Sequence, residues 1–183
     1  LHNIANTVNV NNEVNNRERE ILKSNFLTIV EENRRMLRNI SEVVSSADHS
    51  IMRVFGDNIS NTGVLLVKLS NNEKWQNKKN ELLSHAKWYI HQVSFFIRYA
   101  SKIESNNSFD SLVNAVAKIG IAGLDVNDED VAINAVNVLS YIALQMLEKE
   151  SGSRFGYTEP RIMENACYIG MYGFKLKKKK LMD

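Results

Sequence analysis

Residues 131–147, VAINAVNVLSYIALQML, contain no charged side chain. Apolar groups at Val131, Ala135, Val138, Leu139, Ile142, Leu144, Met146 and Leu147 recur at steps of three and four, the helical period. The start of the stretch is marked: Asn127 can accept from the open N–H groups of a first helical turn, and Asp128, Glu129 and Asp130 put negative charge at the positive end of the helix dipole. The end is marked too, where Glu148-Lys149-Glu150-Ser151-Gly152 turns polar and supplies a glycine stop. Seventeen uncharged residues come close to what a bilayer crossing needs. Asn134, Asn137, Ser140 and Gln145 lie inside the run, however, and desolvating four polar side chains in lipid is costly. The stretch therefore reads as a central helix, buried nearly all round, of a soluble all-α domain.

A second long pattern precedes it. From about Glu13 to Phe55 the sequence predicts one helix on which Leu22, Phe26, Ile29, Asn33, Met36, Ile40, Val43, Ala47 and Val54 follow a four-three spacing of coiled-coil type. Val30, Leu37, Val44 and Ile51 widen that seam on one side, which favours packing against two neighbours within a bundle. Asn33 within the seam can set register or partner number, or simply turn to solvent. The opposite face carries mixed charges, including Glu31, Glu32, Arg34, Arg35 and Arg38, and reads as solvated surface.

Between these helices, Gly56-Asp57-Asn58 suggests a break, and the apolar run 63–69 is read as helix in helical company. A further helix is expected from Glu73 to Ile103, with Leu83, Ala86, Ile90, Val93, Ile97 and Ala100 as its buried stripe and Trp88, Tyr89, Phe95, Phe96 and Tyr99 adding bulk. Ser108 is expected to cap the next helix, which runs to about Leu124, and Thr158, Glu159 and Pro160 open the last one. The clustered asparagines, Asn71-Asn72 among them, favour caps and turns. Three segments align by eye: 119–124, 139–144 and 169–174. Each sets two small residues three apart between large ones. Glycine in a helix interior costs roughly 1 kcal/mol, so Gly120, Gly123, Gly170 and Gly173 suggest notches for close helix approach in a repeat-like array. The expected fold is all-α, a long antiparallel helical pair packed on a three-helix, weakly repeat-like C-terminal array. Its parts are a flexible N-terminus (1–12), a single helical domain (13–174, with a hairpin over 13–104 and the array over 108–174) and a basic tail (175–183).

The pair Asn127-Asp128, followed by Val131-Ala132 and a leucine-rich helix, resembles the Asn-Asp-Pro-x-x-Ala segment of a family of bacterial membrane proteins that carry a soluble helical domain. The match is confined to the start of this helix, and Glu129 stands where the family has proline. An ordinary helix cap accounts for the same residues.

Little in the sequence points to catalysis. His2, His49, His85 and His91 form no His-Glu-x-x-His zinc motif and no paired Glu-x-x-His motifs. Gly120-Ile-Ala-Gly123 sits within a helix with no strand before it, so it is not a dinucleotide fingerprint. Asp125, Asp128, Glu129 and Asp130 lack the spacing of a calcium loop and read as a helix start. Cys167, the single cysteine, excludes an internal disulfide and a thiolate metal cluster, and reads as a buried structural thiol. No cofactor, metal or catalytic residue is expected. One polar-aromatic grouping, Arg154, Tyr157, Arg161 and Tyr168, is a candidate anion pocket. The formal charge of +2 is uneven: the last nine residues, with five lysines and Asp183, carry +4, which leaves −2 for residues 1–174. That tail could meet an anionic membrane surface; nucleic-acid binding is a weaker reading, since five lysines give only sequence-independent attraction.

The expectation is therefore a non-enzymatic helical interaction or scaffold domain, self-associating through Leu22, Phe26, Ile29, Met36, Ile40 and Val43, in the cytoplasm. Two alternatives stand beside it. One is the cytosolic portion of a membrane-attached protein, since the chain opens on Leu1 rather than methionine. The other is a small-ligand-binding domain with a pocket between helices.

Overall fold

A computed structural model describes the backbone of residues 2–43, 49–100, 107–149 and 158–176, and the side chains of residues 16–39, 52–96, 110–144, 162–173, 175 and 176. The elements in order are α1 (His2–Val43), α2 (His49–Ser70), a short 3₁₀ helix (Glu73–Lys78), α3 (Lys79–Ala100), α4 (Asn107–Asp125), α5 (Glu129–Lys149) and α6 (Thr158–Lys175). No strand occurs among the described residues. The fold is all-α. It divides into two units, Leu1–Ile40 and Ser41–Asp183.

The first unit is α1 apart from its residues 41–43. Helix is present from His2, so it includes the segment 2–12 that shows no sustained period in the sequence. Ion pairs one turn apart link Glu32 to Arg35 (2.6 Å), both exposed, and Glu31 to Arg34 (2.8 Å), whose side chain is only 18% exposed. The exposed pair adds only a few tenths of a kcal/mol.

In the second unit α2 does not break at Gly56-Asp57-Asn58; it runs unbroken from His49 to Ser70. The expectation failed because these glycines serve packing. A Cβ at Gly56 would stand 2.8 Å from the backbone of Ser111, and one at Gly63 would run into the side chain of Ile119. Ser60, between them on the same face, is buried. With no side chains in the way, α2 and α4 come together closely. They run parallel, because Ser111 Oγ donates to the Met52 carbonyl at 3.3 Å while Gly63 lies opposite Ile119 farther along both helices.

The chain turns after α2 through Asn72, whose side chain accepts from Lys74 N–H at 2.9 Å and caps the 3₁₀ helix. It returns as α3, antiparallel to α2, with Phe55 near the start of one edge-on to Phe96 near the end of the other, ring centres 4.7 Å apart. The expected stripe is buried at Leu83, Ala86, Ile90 and Val93; the side chains of Ile97 and Ala100 lie outside the described residues. Trp88 is half-buried and Phe95 exposed, whereas Tyr89 and Phe96 are enclosed.

The hub is α4, not α5 as the uncharged run suggests: α2, α3, α5 and α6 all pack on it. α5 buries Val131, Ala135, Val138, Leu139 and Ile142 but turns Asn137, Tyr141 and Leu144 to solvent, with Leu144 57% exposed. Absence of charge did not mean burial, since apolar atoms make up much of any folded surface. Close approach of α4 and α5 uses Gly120, whose added Cβ would meet the Ala135 Cβ at 2.7 Å, and Gly123, which would meet the Val131 Cβ at 2.8 Å. Both notches are filled as expected. Gly170 on α6 is not, since nothing among the described residues lies within 4 Å of a Cβ built there. The three aligned segments lie on helices that all pack on one another, but their notches are not equivalent.

Candidate interaction surfaces

The coiled-coil spacing of α1 places Leu22, Ile29 and Met36 seven residues apart, which brings them onto one line of the helix. All three are exposed, at 66%, 66% and 56% of their surface. Ile21, beside this line, is also exposed, and Phe26 and Asn33, between its members, are half-buried. The side chains of Ile40 and Val43, the other two residues of the expected seam, lie outside the described residues. Full burial of one such side chain contributes about 1.5–3 kcal/mol, so three left in water on a single line are a substantial unused surface.

The expected anion pocket falls largely outside the described residues: Arg154 and Tyr157 entirely, Arg161 as to its side chain. Tyr168 is described. It is 54% exposed and stacks on Tyr172, ring centres 6.4 Å apart and planes 11° from parallel. Tyr172 in turn donates its hydroxyl to Asp125 Oδ1 at 2.8 Å, tying α6 to the end of α4. That hydrogen bond, with the carboxylate charge behind it, pushes the Tyr172 phenol above its usual value. A second tie, Asn165 Nδ2 to Asn114 Oδ1 at 3.5 Å, confirms that α4 and α6 run parallel.

Cys167 is exposed, which corrects the expectation of a buried thiol. The buried line of α6 is Ile162, Ile169 and Gly173, and a residue two positions before Ile169 points to the opposite side of a helix with 3.6 residues per turn. Met163 and Met171 share that outer side, 49% and 72% exposed.

The acidic residues around position 127 act in helix ends. Asn127 N–H bonds the Leu124 carbonyl at 3.1 Å and Asp128 N–H the Gly123 carbonyl at 2.8 Å, with Asn127 at φ 61°, the left-handed value. This is the Schellman closure of α4. The cap of α5 is then Asp128, whose Oδ1 accepts from Val131 N–H at 3.1 Å, and not Asn127 as expected. Among the described residues no group of three or more His, Cys, Asp or Glu could hold a metal ion. No helix formed by them is long and apolar enough to cross a membrane. The lysines at positions 177–180 lie outside the described residues.

A groove runs along the paired helices α2 and α4. Val64, Leu65, Ile121 and Ala122 form its apolar surface, Ser60, Asn61 and Asp125 its polar margin, and Lys68 and Lys118 flank it, around a volume of about 460 Å³. Sequence reasoning could not find it, because it exists only where two helices distant in the chain lie side by side.

Comparison with protein-family models, with curated proteins and with solved structures finds no match to this chain.

Proposed function

We propose that this chain is a non-enzymatic helical interaction or scaffold domain that assembles with further copies of itself through α1. The observation that carries the reading is the exposed line Leu22, Ile29 and Met36 at seven-residue spacing. A helix in water gains most of its stability from covering an apolar face rather than from intrinsic propensity. At about 1.5 Å per residue, the 42 residues of α1 span roughly 63 Å, long enough for an extended two-helix contact. An equivalent helix from a second copy offers the same spacing, and knobs from one seam then enter holes on the other. The mixed-sign charges on the solvent face keep that face wet while the seam is covered.

Sedimentation equilibrium of the full chain over a wide concentration range tests this. A mass that rises with concentration to an integral multiple of 20.9 kDa supports self-assembly, and a constant mass of one chain opposes it.

A further inference from the structure

We propose that the groove between α2 and α4 binds a small amphipathic anion, its apolar body on Val64, Leu65, Ile121 and Ala122 and its anionic group between Lys68 and Lys118. The proposal is independent of how α1 assembles.

The groove follows from the small residues beneath it. Gly56, Ser60 and Gly63 let α2 settle onto α4, so the next residues around each helix form two facing walls on a rigid base. Those walls are apolar and partly open to water; Leu65 is 45% exposed. The volume of about 460 Å³ lies within the range of small-ligand sites, and an apolar lining with a few placed polar groups is their usual composition.

The charge of the site selects the ligand class. Among the described residues, neither the Lys68 nor the Lys118 ammonium group has an ion-pair or hydrogen-bond partner. Lys74, Lys79, Lys87 and Lys175 likewise lack one, so what marks the groove is that two such lysines line it together. Asp125, which also lines the groove, keeps its negative charge while accepting from the Tyr172 hydroxyl, so the lining carries two cations and one anion and is net positive. Lys68 lies in the last turn of α2, where a cation also suits the helix dipole. Lys118 stands in the interior of α4, where the dipole gives it no such role. An anion placed between them gains two charge-assisted contacts while its apolar part covers Leu65.

The test is calorimetric titration of the full chain with decanoate below its micelle concentration, beside decyltrimethylammonium, which has the same tail and the opposite charge. The site predicts saturable one-to-one binding of decanoate and at least tenfold weaker binding of the cation. Lys68→Gln with Lys118→Gln should lower decanoate affinity about tenfold, the size expected of two partly screened charge contacts. Both lysines are exposed, so the variant should keep the parent melting temperature. Amide shifts on decanoate addition should centre on Val64, Leu65, Ile121 and Ala122. Equal affinity for the cation, unchanged affinity in the double variant, shifts centred elsewhere or no saturable binding would each overturn the proposal.

Discussion

Gly56 lies so close to Ser111 that a Cβ on the glycine would stand 2.8 Å from both the carbonyl carbon and the carbonyl oxygen of the serine. The obstruction is backbone, which cannot rotate away. It sets the distance between α2 and the central helix α4, and hence the walls of the groove above them.

Gly56→Ala therefore forces the two helices apart. Overpacking of this kind costs about 1–3 kcal/mol, against a gain of up to about 1 kcal/mol in helix propensity. The variant should melt lower, by about 2–4 °C per kcal/mol in a chain of this size. Gly170→Ala is the opposite case. Open space surrounds that position among the described residues, so alanine should raise stability by up to about 1 kcal/mol. Thermal unfolding of both variants beside the parent checks the pair; equal shifts of the same sign would contradict the packing described here.

The junction of α4 and α5 divides its work between neighbours. Asp128→Ala removes the cap on Val131 N–H and should cost about 1 kcal/mol. Asn127→Gly should be neutral or slightly stabilising, because a φ of 61° suits glycine better than any side chain, whereas Asn127→Val should destabilise. Urea midpoints at constant slope give the three values.

The Tyr172–Asp125 hydrogen bond makes a pH prediction. Its phenol titrates above the usual 10.0 because the neutral hydroxyl donates to a carboxylate, so the folded state favours the protonated form. The contribution to stability is fully present below that ordinary value and is lost as pH rises through the raised one. The stability difference between the parent and Tyr172→Phe should thus be constant near neutral pH and shrink in strong alkali. Paired denaturant titrations at neutral and alkaline pH measure it, and a difference that persists or grows in alkali would contradict the assignment.

The sequence disclosed what depends on local periodicity. The helical class, the apolar stripe of α3, the notches at Gly120 and Gly123 and the turn at Asn72 all rest on residues within a few positions of one another. What it hid depends on distant partners. Gly56 looks like a helix breaker until Ser111 is beside it. The α4 helix looks amphipathic because it carries Lys118 and Asp125, yet four helices cover its other sides, while the uncharged α5 leaves Tyr141 and Leu144 in water. Cys167 sits among apolar neighbours in sequence but on the outer side of α6 in space. The seam on α1 was legible as spacing; its exposure at Leu22, Ile29 and Met36 was not, because spacing alone cannot say whether a seam is already covered.

The central claim is assembly through that seam, and the most direct measurement is the solution mass by light scattering of the parent chain and of a variant carrying Ile29→Glu and Met36→Glu. Both positions are more than half exposed, so the variant should remain folded with a near-parent circular dichroism spectrum. The parent should be a dimer or larger species and the variant a folded monomer. A monomeric parent, or a variant that keeps the parent's mass, would contradict it.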